Sequence, residues 1–272
     1  MGKIGISGAT GRLGGRVARL VGGTPRLLVR DASRAPEGAD VAVADYADGD
    51  AVRKALEGVD TVLMVSAAET LGRVAQHRSF VDAAAAAGVE HLVYTSFAGA
   101  SPDATFTLAR DHWHTEQHIR DSGLAFTFLR DNLYADFLPF LVGDDGVIRG
   151  PAGDGRAAVV AQDDIADALV AVLREPAPHA GKTYEMTGPE ALSLAEVAAT
   201  VAEVTGKPVT FHHETLEEAY ASRKQYSAPD WQVDAWVSTY TAIAAGELAR
   251  VSDDVRALTG HPATSLRDLL QA

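Results

Sequence analysis

The chain has 272 residues and a mass of 28.6 kDa, which suit one large domain or one domain with a smaller appendage. Hydrophobic residues make up 47% of it and charged residues 22%, which excludes a chain that is disordered throughout. The net charge of −13 argues against nucleic acid or an anionic membrane surface as a partner. Cysteine is absent, which excludes disulfides, a thiolate nucleophile and cysteine-bound metal.

No apolar run approaches the roughly 20 residues that a membrane-spanning helix needs. The first residues already have the pattern of a strand, and no secretory signal precedes them. We therefore expect a cytoplasmic protein that does not enter a membrane.

Short apolar runs alternate with helical patterns through the first two thirds of the chain, which is typical of βαβ units and a parallel sheet. An alanine-rich helix is predicted at residues 76–87, and Gly88 ends it. The predicted strands are residues 3–7, 26–30, 40–44, 61–66, 91–96 and 125–129.

After residue 132 the pattern becomes looser and mostly helical. Asp163 or Asp164 is predicted to cap one helix, and Ser193 with Glu196 forms a capping box for another that ends at Gly206. Further helices are predicted at 231–245 and from 265.

These patterns predict an α/β protein with a Rossmann-type doubly wound parallel sheet and a smaller, mostly helical C-terminal lobe. The predicted nucleotide-binding domain is residues 1–131, to which residues 156–188 return. Residues 132–155 and 189–272 are predicted to form the smaller lobe, which covers the substrate.

A glycine-rich segment lies directly between the first predicted strand and a helix. Glycines in this position let backbone N–H groups and the helix N-terminus approach a pyrophosphate, so the segment predicts dinucleotide binding. The alternative is a glycine-rich turn without a ligand. The segment consists of Gly8, Ala9, Thr10, Gly11, Arg12, Leu13 and Gly14.

The end of the second strand indicates which dinucleotide is bound. A site for NAD usually has an acidic residue there, whereas this chain has Arg30, which favours the 2′-phosphate of NADP(H). Arg12 and Arg34 either contribute to the same anion site or are solvated surface residues. Asp45 and Tyr46 follow the third strand, where they would line the adenine side, although Asp45 is equally well explained as a turn residue.

Several short motifs occur in a fixed order along the chain. They include the glycine segment, Val29-Arg30-Asp31, Ala44-Asp45-Tyr46, Gln76-His77, Tyr94-Thr95-Ser96, Thr115-Glu116, and Asn132-Leu133-Tyr134-Ala135-Asp136-Phe137. Together they resemble the NmrA-like atypical short-chain dehydrogenases, especially the bacterial NAD(P)H:quinone oxidoreductases and triphenylmethane reductases of that family. The resemblance extends over nearly the whole chain.

The resemblance implies a Rossmann lobe that binds NADP(H), a small lobe over the nicotinamide, and either quinone or dye reduction or redox sensing. Gln162 stands where the quinone reductases typically have an arginine, so a cofactor contact at that position is in doubt. Besides the glycine segment and Arg30, the cofactor contacts implied by motif position are Ser66, Ala67, Ala68, Asn132, Leu133, Tyr134, Ala135, Asp136 and Phe137.

The usual proton donor of short-chain dehydrogenases is missing. Counting back from Glu116, Leu108 occupies the tyrosine position and His112 the lysine position. His112 either hydrogen-bonds the nicotinamide ribose or only packs, and Tyr134 either faces the ligand or only packs. These two residues are the catalytic candidates. A quinone or a triarylmethyl cation forms no localised alkoxide when reduced, so the sequence predicts hydride transfer without an enzyme acid.

Two other clusters have less clear meaning. His114 and His118 are spaced like zinc ligands on one helix face, but no third ligand accompanies them, so no metal is predicted. Trp231, Trp236 and Tyr240 form either an aromatic wall for a flat substrate or core contacts.

The function predicted from the sequence is an NADPH-dependent reductase of quinones or related aromatic acceptors. The alternative is a non-catalytic NADP(H)-binding regulator that reports redox state to a protein partner. We expect a small aromatic or quinone substrate and no nucleic acid, and whether the chain forms a homodimer is left open.

Overall fold

The computed structural model describes residues 2–272, which divide into two compact units. The first unit contains the residues up to Phe97 together with Asp111–Arg130 and Asp163–Tyr184. The second unit contains Ala98–Arg110, Asp131–Gln162 and Glu185–Ala272. The predicted division into a nucleotide-binding domain and a substrate-covering lobe stays a prediction, and its boundaries differ from these units chiefly at residues 98–110 and 156–162.

The strands of the chain are β1 (Ile4–Ser7), β2 (Arg26–Val29), β3 (Asp40–Val43), β4 (Thr61–Met64), β5 (His91–Phe97), β6 (Ala125–Asp131), β7 (Val147–Gly150), β8 (Arg156–Ala157), β9 (Lys182–Met186), β10 (Leu192–Ser193) and β11 (Thr210–His213). Within residues 2–272, seven of them form one sheet in the order β3-β2-β1-β4-β5-β6-β9. The pairings from β3 through β5 are parallel. The predicted doubly wound sheet is therefore confirmed, and the predicted strand ends differ from the observed ones by one or two residues.

The helices are α1 (Arg12–Leu20), α2 (Gly49–Ala55), α3 (Arg73–Ala86), α4 (Thr107–Asp121), α5 (Gln162–Arg174), α6 (Leu194–Thr205), α7 (Leu216–Arg223), α8 (Asp230–Ala244), α9 (Asp254–Thr259) and α10 (Leu266–Gln271). The capping box at α6 is confirmed, because the Ser193 side chain accepts from the Glu196 N–H. Gly206 ends α6 in the left-handed conformation, which costs glycine little.

The predicted cap of α5 is wrong. Asp163 and Asp164 lie inside the first turn, where carboxylates suit the positive end of the helix dipole. The first N–H of the helix, that of Gln162, donates instead to Asp136 Oδ2 at 2.9 Å. The sequence pattern favoured the nearest aspartates, whereas the acceptor lies in the 3-10 helix Ala135–Leu141, 26 residues earlier.

The core of the first unit consists of apolar strand residues covered by helices. Val62 and Met64 of β4 and Leu92 of β5 are fully buried, and Phe80 of α3 packs in the same cluster. Burial on both faces explains why these strands have continuous apolar sequences instead of alternating ones. Parallel pairing places the carboxyl ends of β1, β2 and β4 at one edge of the sheet.

The second unit combines helices α6 to α10 with two small sheets. Strand β7 pairs with β11 in parallel, and β8 pairs with β10 antiparallel. No helix within residues 2–272 has the length and apolar character to cross a membrane.

The turn from β1 into α1 depends on a close backbone approach. Gly8 has a φ of +61°, in the left-handed region that favours glycine. A Cβ atom on Gly14 would lie 2.5 Å from the carbonyl oxygen of Gly8 and 2.9 Å from that of Ser7. Both obstacles are backbone atoms, so any side chain at position 14 must move the loop that precedes the helix.

We expect Gly14→Ala to lower the free energy of unfolding by about 1–3 kcal/mol, because the added methyl group overpacks the turn. Gly72→Ala is the matched control, since a Cβ there meets no atom within 4 Å. Urea unfolding of both variants measures the difference. Equal stability of the two variants would show that the turn tolerates a side chain.

Candidate functional site

The glycine segment forms a backbone surface suited to an anion. The Gly11 N–H donates to the Gly8 carbonyl oxygen at 2.9 Å, which closes the turn directly before α1. Gly11 is the N-cap residue and supplies no side chain, so the N–H groups of the first helical turn are not capped by one. A helix start of this kind attracts phosphate through both its N–H groups and its dipole.

Arg30 lies at the same edge of the sheet as the glycine segment. It follows β2, which pairs in parallel with β1, and its side chain is exposed. Arg34 is also exposed, in the short 3-10 turn that follows. The Asp31 carboxylate accepts from the Ser33 N–H at 2.9 Å, so it stabilises its own turn. The exposed group that β2 presents at this edge is thus a cation.

Tyr46 joins the ends of β1 and β4. Its hydroxyl donates to the Val65 carbonyl oxygen at 2.7 Å and is hydrogen-bonded to the Ser7 hydroxyl, which in turn accepts from the Val65 N–H. The Asp45 carboxylate accepts from the Ala47 N–H at 2.9 Å, which is the contact of a turn residue. Roles for Asp45 and Tyr46 on the adenine side stay predictions.

The segment after β4, Ser66 to Ala68, is held by side chains from beneath. The Ser66 N–H donates to Thr95 Oγ1 at 2.9 Å. The Ala67 N–H donates to His77 Nε2 at 2.8 Å, and the Ala67 carbonyl oxygen accepts from Arg73 Nε at 3.0 Å. Three consecutive peptide groups thus have fixed orientations at the edge where the glycine segment lies.

These contacts also define the protonation of two buried histidines. His77 Nε2 accepts from a backbone N–H, so the neutral ring carries its proton on Nδ1 and donates to Thr115 Oγ1 at 2.8 Å. Arg73 has only donors, so His112 Nε2 accepts from it and His112 Nδ1 donates to Tyr94 Oη at 2.9 Å. Burial, together with the Arg73 charge, lowers the pKa of His77 to about 3 and holds the pKa of His112 well below its ordinary value.

His112 therefore has both ring nitrogens bonded within the chain, and it is 5% exposed. These contacts support a packing and positioning role, and its proposed contact with the nicotinamide ribose stays a prediction. Sequence reasoning missed Arg73, which is also buried. The sequence signal that could have identified Arg73 is its position four residues before His77, which places both residues on one face of α3.

The second unit contains a cavity of about 900 Å³ with an aromatic wall. The predicted aromatic wall is present in part, since Trp236 and Tyr240 line this cavity and Trp231 does not. Leu133, Tyr134 and Phe137, which were predicted as cofactor contacts, also line it. The aromatic residues of the wall are Tyr134, Phe137, Phe140, Tyr226, Trp236 and Tyr240.

Two ion pairs lie in the wall of the cavity. Arg223 and Glu214 are both buried and hydrogen-bonded, and the Arg223 guanidinium lies 5.3 Å from the centroid of the Tyr240 ring. Arg149 pairs with Asp145 at 2.6 Å in a more exposed position. Because each cation has its own carboxylate, the wall combines aromatic surface with compensated charge.

The segment after β6 has its own hydrogen bonds. Asn132 is buried, and its amide donates to the Leu248 carbonyl oxygen and accepts from the Leu133 N–H. The Ala135 N–H donates to the Val160 carbonyl oxygen at 2.8 Å. Asn132 is thus bound within the chain, so its role as a cofactor contact stays a prediction, as do those of its neighbours.

Asp131 is a site residue that sequence reasoning missed. It is 2% exposed at the end of β6, and its Oδ2 accepts from the Tyr134 hydroxyl at 3.0 Å. Oδ1 has no hydrogen-bond partner among the described residues. Burial raises the pKa of Asp131, and the hydrogen bond from the Tyr134 hydroxyl offsets part of that rise. The resulting pKa is about 8. An acidic residue at the carboxyl end of a strand was the available signal.

The two histidines with zinc-like spacing, His114 and His118, have different environments. His118 Nε2 lies 2.7 Å from Asp82 Oδ1 on α3, and His114 is exposed. Within residues 2–272, no group of three or more histidine or acidic residues is arranged to hold a metal ion. The expectation that no metal is needed stays a prediction.

The structure thus brings the predicted residues together in two places. The glycine segment, Arg30 and Ser66 to Ala68 share one sheet edge of the first unit. Leu133, Tyr134 and Phe137 share the aromatic cavity of the second unit.

Comparison with known proteins identifies the family of the chain. The model of the NmrA-like family matches residues 1–230. Quinone oxidoreductase 2 of Escherichia coli is 35% identical, over 97% of this chain and 96% of that protein. The crystal structure of the NADPH-dependent quinone oxidoreductase of E. coli complexed with NADPH has a TM-score of 0.90 at 34% identity, covering 98% of each chain. Triphenylmethane reductase of Citrobacter sp. complexed with NADP(H) has a TM-score of 0.89 at 31% identity, covering 99% of each chain.

The low pKa of His77 predicts a loss of stability in acid. The unfolded chain takes up a proton near pH 6.5 and the folded chain near pH 3, so the contribution of His77 is complete above pH 6.5 and falls as the pH drops below it. By pH 5 the loss is roughly 2 kcal/mol. Urea unfolding at several pH values measures it, and His77→Gln should reduce the dependence on pH.

His212→Gln is the control, because His212 is exposed on β11 in the second unit. It should follow the wild-type curve. A His77→Gln variant whose stability falls in acid as steeply as that of the wild type would contradict the assignment.

Proposed function

Because the chain belongs to the NmrA-like family, we propose that it is an NADPH-dependent reductase that transfers hydride to a quinone or a related aromatic acceptor, triarylmethane dyes included. The chain is an NAD(P)H-dependent oxidoreductase, in agreement with its similarity over nearly its full length to a quinone oxidoreductase and a dye reductase. The aromatic wall of the cavity in the second unit is the observation that carries the choice of acceptor.

The first unit has the features that NADP(H) requires. Gly14 lies so close to Gly8 that the turn has no room for a side chain at position 14. No side chain caps the start of α1 either, so a pyrophosphate can approach the backbone there. Arg30, exposed at the same edge, would pair with the 2′-phosphate. When bound, the dinucleotide supplies the hydride. Arg12 and Ser66 to Ala68 are further proposed contacts in this unit.

In the second unit, the proposed contacts of the cofactor are Asn132, Leu133, Tyr134, Ala135, Asp136 and Phe137. The acceptor would occupy the cavity, where Trp236 and Tyr240 offer flat apolar surface. Stacking on aromatic rings favours planar molecules. The charges of Arg149 and Arg223 are compensated by Asp145 and Glu214, and Asp144 adds one further carboxylate to the wall. The wall therefore has no excess positive charge that would favour an anionic acceptor.

The two positions of the usual acid pair, Leu108 and His112, supply no proton. Leu108 is buried and has no proton to give, and His112 is held neutral with both nitrogens bonded. A simple ketone would develop a localised alkoxide that these residues do not protonate. A quinone delocalises the new charge, so it is the better acceptor for this chain.

The proposal is tested by following NADPH oxidation by the purified protein with quinones, triarylmethane dyes and simple aldehydes, while cofactor binding is titrated in parallel. We expect faster turnover with the first two classes than with aldehydes, because a product with delocalised or no negative charge depends less on an enzyme acid. Tight NADPH binding without turnover on any acceptor would instead favour a redox-sensing regulator.

The assignment of Arg30 predicts a selective effect on affinity. Arg30→Glu should weaken NADPH binding at least about tenfold, because it removes a charge-assisted hydrogen bond and adds repulsion. NADH affinity should change little, since NADH has no 2′-phosphate. Arg78→Glu, at an exposed position of α3, makes the same charge change and should affect neither cofactor. Equal losses of NADPH and NADH affinity in Arg30→Glu would rule out the 2′-phosphate contact.

A further inference from the structure

Asp131 and Tyr134 form a hydrogen-bonded pair beside the aromatic cavity. Tyr134 lines the cavity, and Asp131 lies behind it, 2% exposed. The distance between Tyr134 Oη and Asp131 Oδ2 is 3.0 Å. Oδ1 is buried and has no hydrogen-bond partner among the described residues. Tyr134 thus belongs to the cavity wall, whereas Asp131 does not and contacts the wall through the tyrosine hydroxyl.

The surroundings of Asp131 favour its neutral form. An ionised carboxylate needs several donors when it is removed from water, and this one has a single hydroxyl. Burial accordingly raises its pKa to about 8, and no charged side chain contributes to that shift. Asp136, the next acidic residue along the chain, accepts a hydrogen bond from the Gln162 N–H. Asp131 is thus a carboxylic acid at neutral pH.

The proton of this acid is better placed on Oδ2 than on Oδ1. A proton on Oδ1 would leave a buried donor without an acceptor, which is rarer and costlier than an unpaired acceptor oxygen. A proton on Oδ2 can be donated to Tyr134 Oη at 3.0 Å. The hydroxyl hydrogen of Tyr134 is then no longer needed by Asp131 and can be donated to an oxygen in the cavity.

Resting on the proposed function, we propose that Tyr134 protonates the reduced acceptor and that Asp131 replaces the proton Tyr134 has given. When the acceptor is a quinone, it gains hydride from the cofactor, and the oxygen that becomes anionic takes the hydroxyl proton of Tyr134. The O–H bond of Asp131 Oδ2 breaks as a new O–H bond forms on Tyr134 Oη. Asp131 later recovers a proton from solvent, so the reaction consumes one hydride and one proton per quinone.

Tyr134, a catalytic candidate from the sequence, thus gains the role of an acid, whereas the sequence predicted hydride transfer without one. Tyr134 would be the catalytic residue, because it touches the acceptor, and Asp131 a positioning residue that acts through it. The expectation of hydride transfer without an acid rested on Leu108 and His112, which occupy the usual acid positions. The new pair lies at the end of a different element, since Asp131 is the last residue of β6 and Tyr134 comes three residues later, so counting back from Glu116 does not reveal it.

The first test is spectroscopic and needs no turnover. Infrared difference spectra of the wild type between about pH 6 and pH 10 should show a protonated carboxyl band lost with a midpoint near 8. The band should be absent from Asp131→Asn. Asp234→Asn is the matched control, because Asp234 accepts from Tyr220 at the same 3.0 Å in an exposed position, and it should keep the band. A band that persists in Asp131→Asn would overturn the inference.

The second test is the pH profile of a single turnover with 1,4-naphthoquinone, which does not titrate over this range. The wild-type rate should fall above about pH 8, where Asp131 loses its proton. Asp131→Asn and Tyr134→Phe should lower the rate at neutral pH at least about tenfold and remove the alkaline fall. Asp234→Asn should keep the wild-type profile.

The outcomes separate the two proposals. Turnover with unchanged profiles in Asp131→Asn and Tyr134→Phe would overturn the proton pathway and leave the reductase proposal intact. Absence of turnover on every acceptor class would overturn both. Altered profiles in the two variants, with the wild-type profile in the control, would support both.

Discussion

The parallel pairing of β1 between β2 and β4 is the constraint on which the first unit depends. Parallel neighbours cannot be joined by a tight turn, so each connection crosses a face of the sheet and buries it. The crossovers also bring the loops after these strands to a common edge. The glycine segment, Arg30 and Ser66 to Ala68 are neighbours for that reason, although up to 60 positions separate them in the sequence.

At this edge, buried polar groups orient the backbone. Arg73 and His77 hold the two sides of Ala67, and Tyr46 bonds to the end of β4. The polar atoms of these side chains have little access to water, so their hydrogen bonds must be made within the chain. The first unit thus uses its polar core to define where peptide groups point, which apolar packing alone does not specify.

The sequence predicted what depends on local pattern and missed what depends on distant contacts. The strands are apolar runs, and the caps at Ser193 and Gly206 are short motifs, so both were predictable. The acceptor for the first N–H of α5 is Asp136, 26 residues away, and no local rule identifies it. The same holds for Arg73 and Asp131. Both are charged residue types, which are usually exposed, and only the tertiary structure shows that they are buried.

The buried pair of Arg223 and Glu214 has a consequence for how the cavity meets a ligand. The Arg223 guanidinium also donates to the carbonyl oxygens of Ala219 in α7 and Arg149 in β7, so one side chain joins three segments of the wall. A wall that is already ordered loses little conformational entropy when a molecule enters. If the acceptor binds in this cavity as proposed, its affinity would be governed by shape and desolvation, and rigid planar molecules would gain most because they too have little freedom to lose.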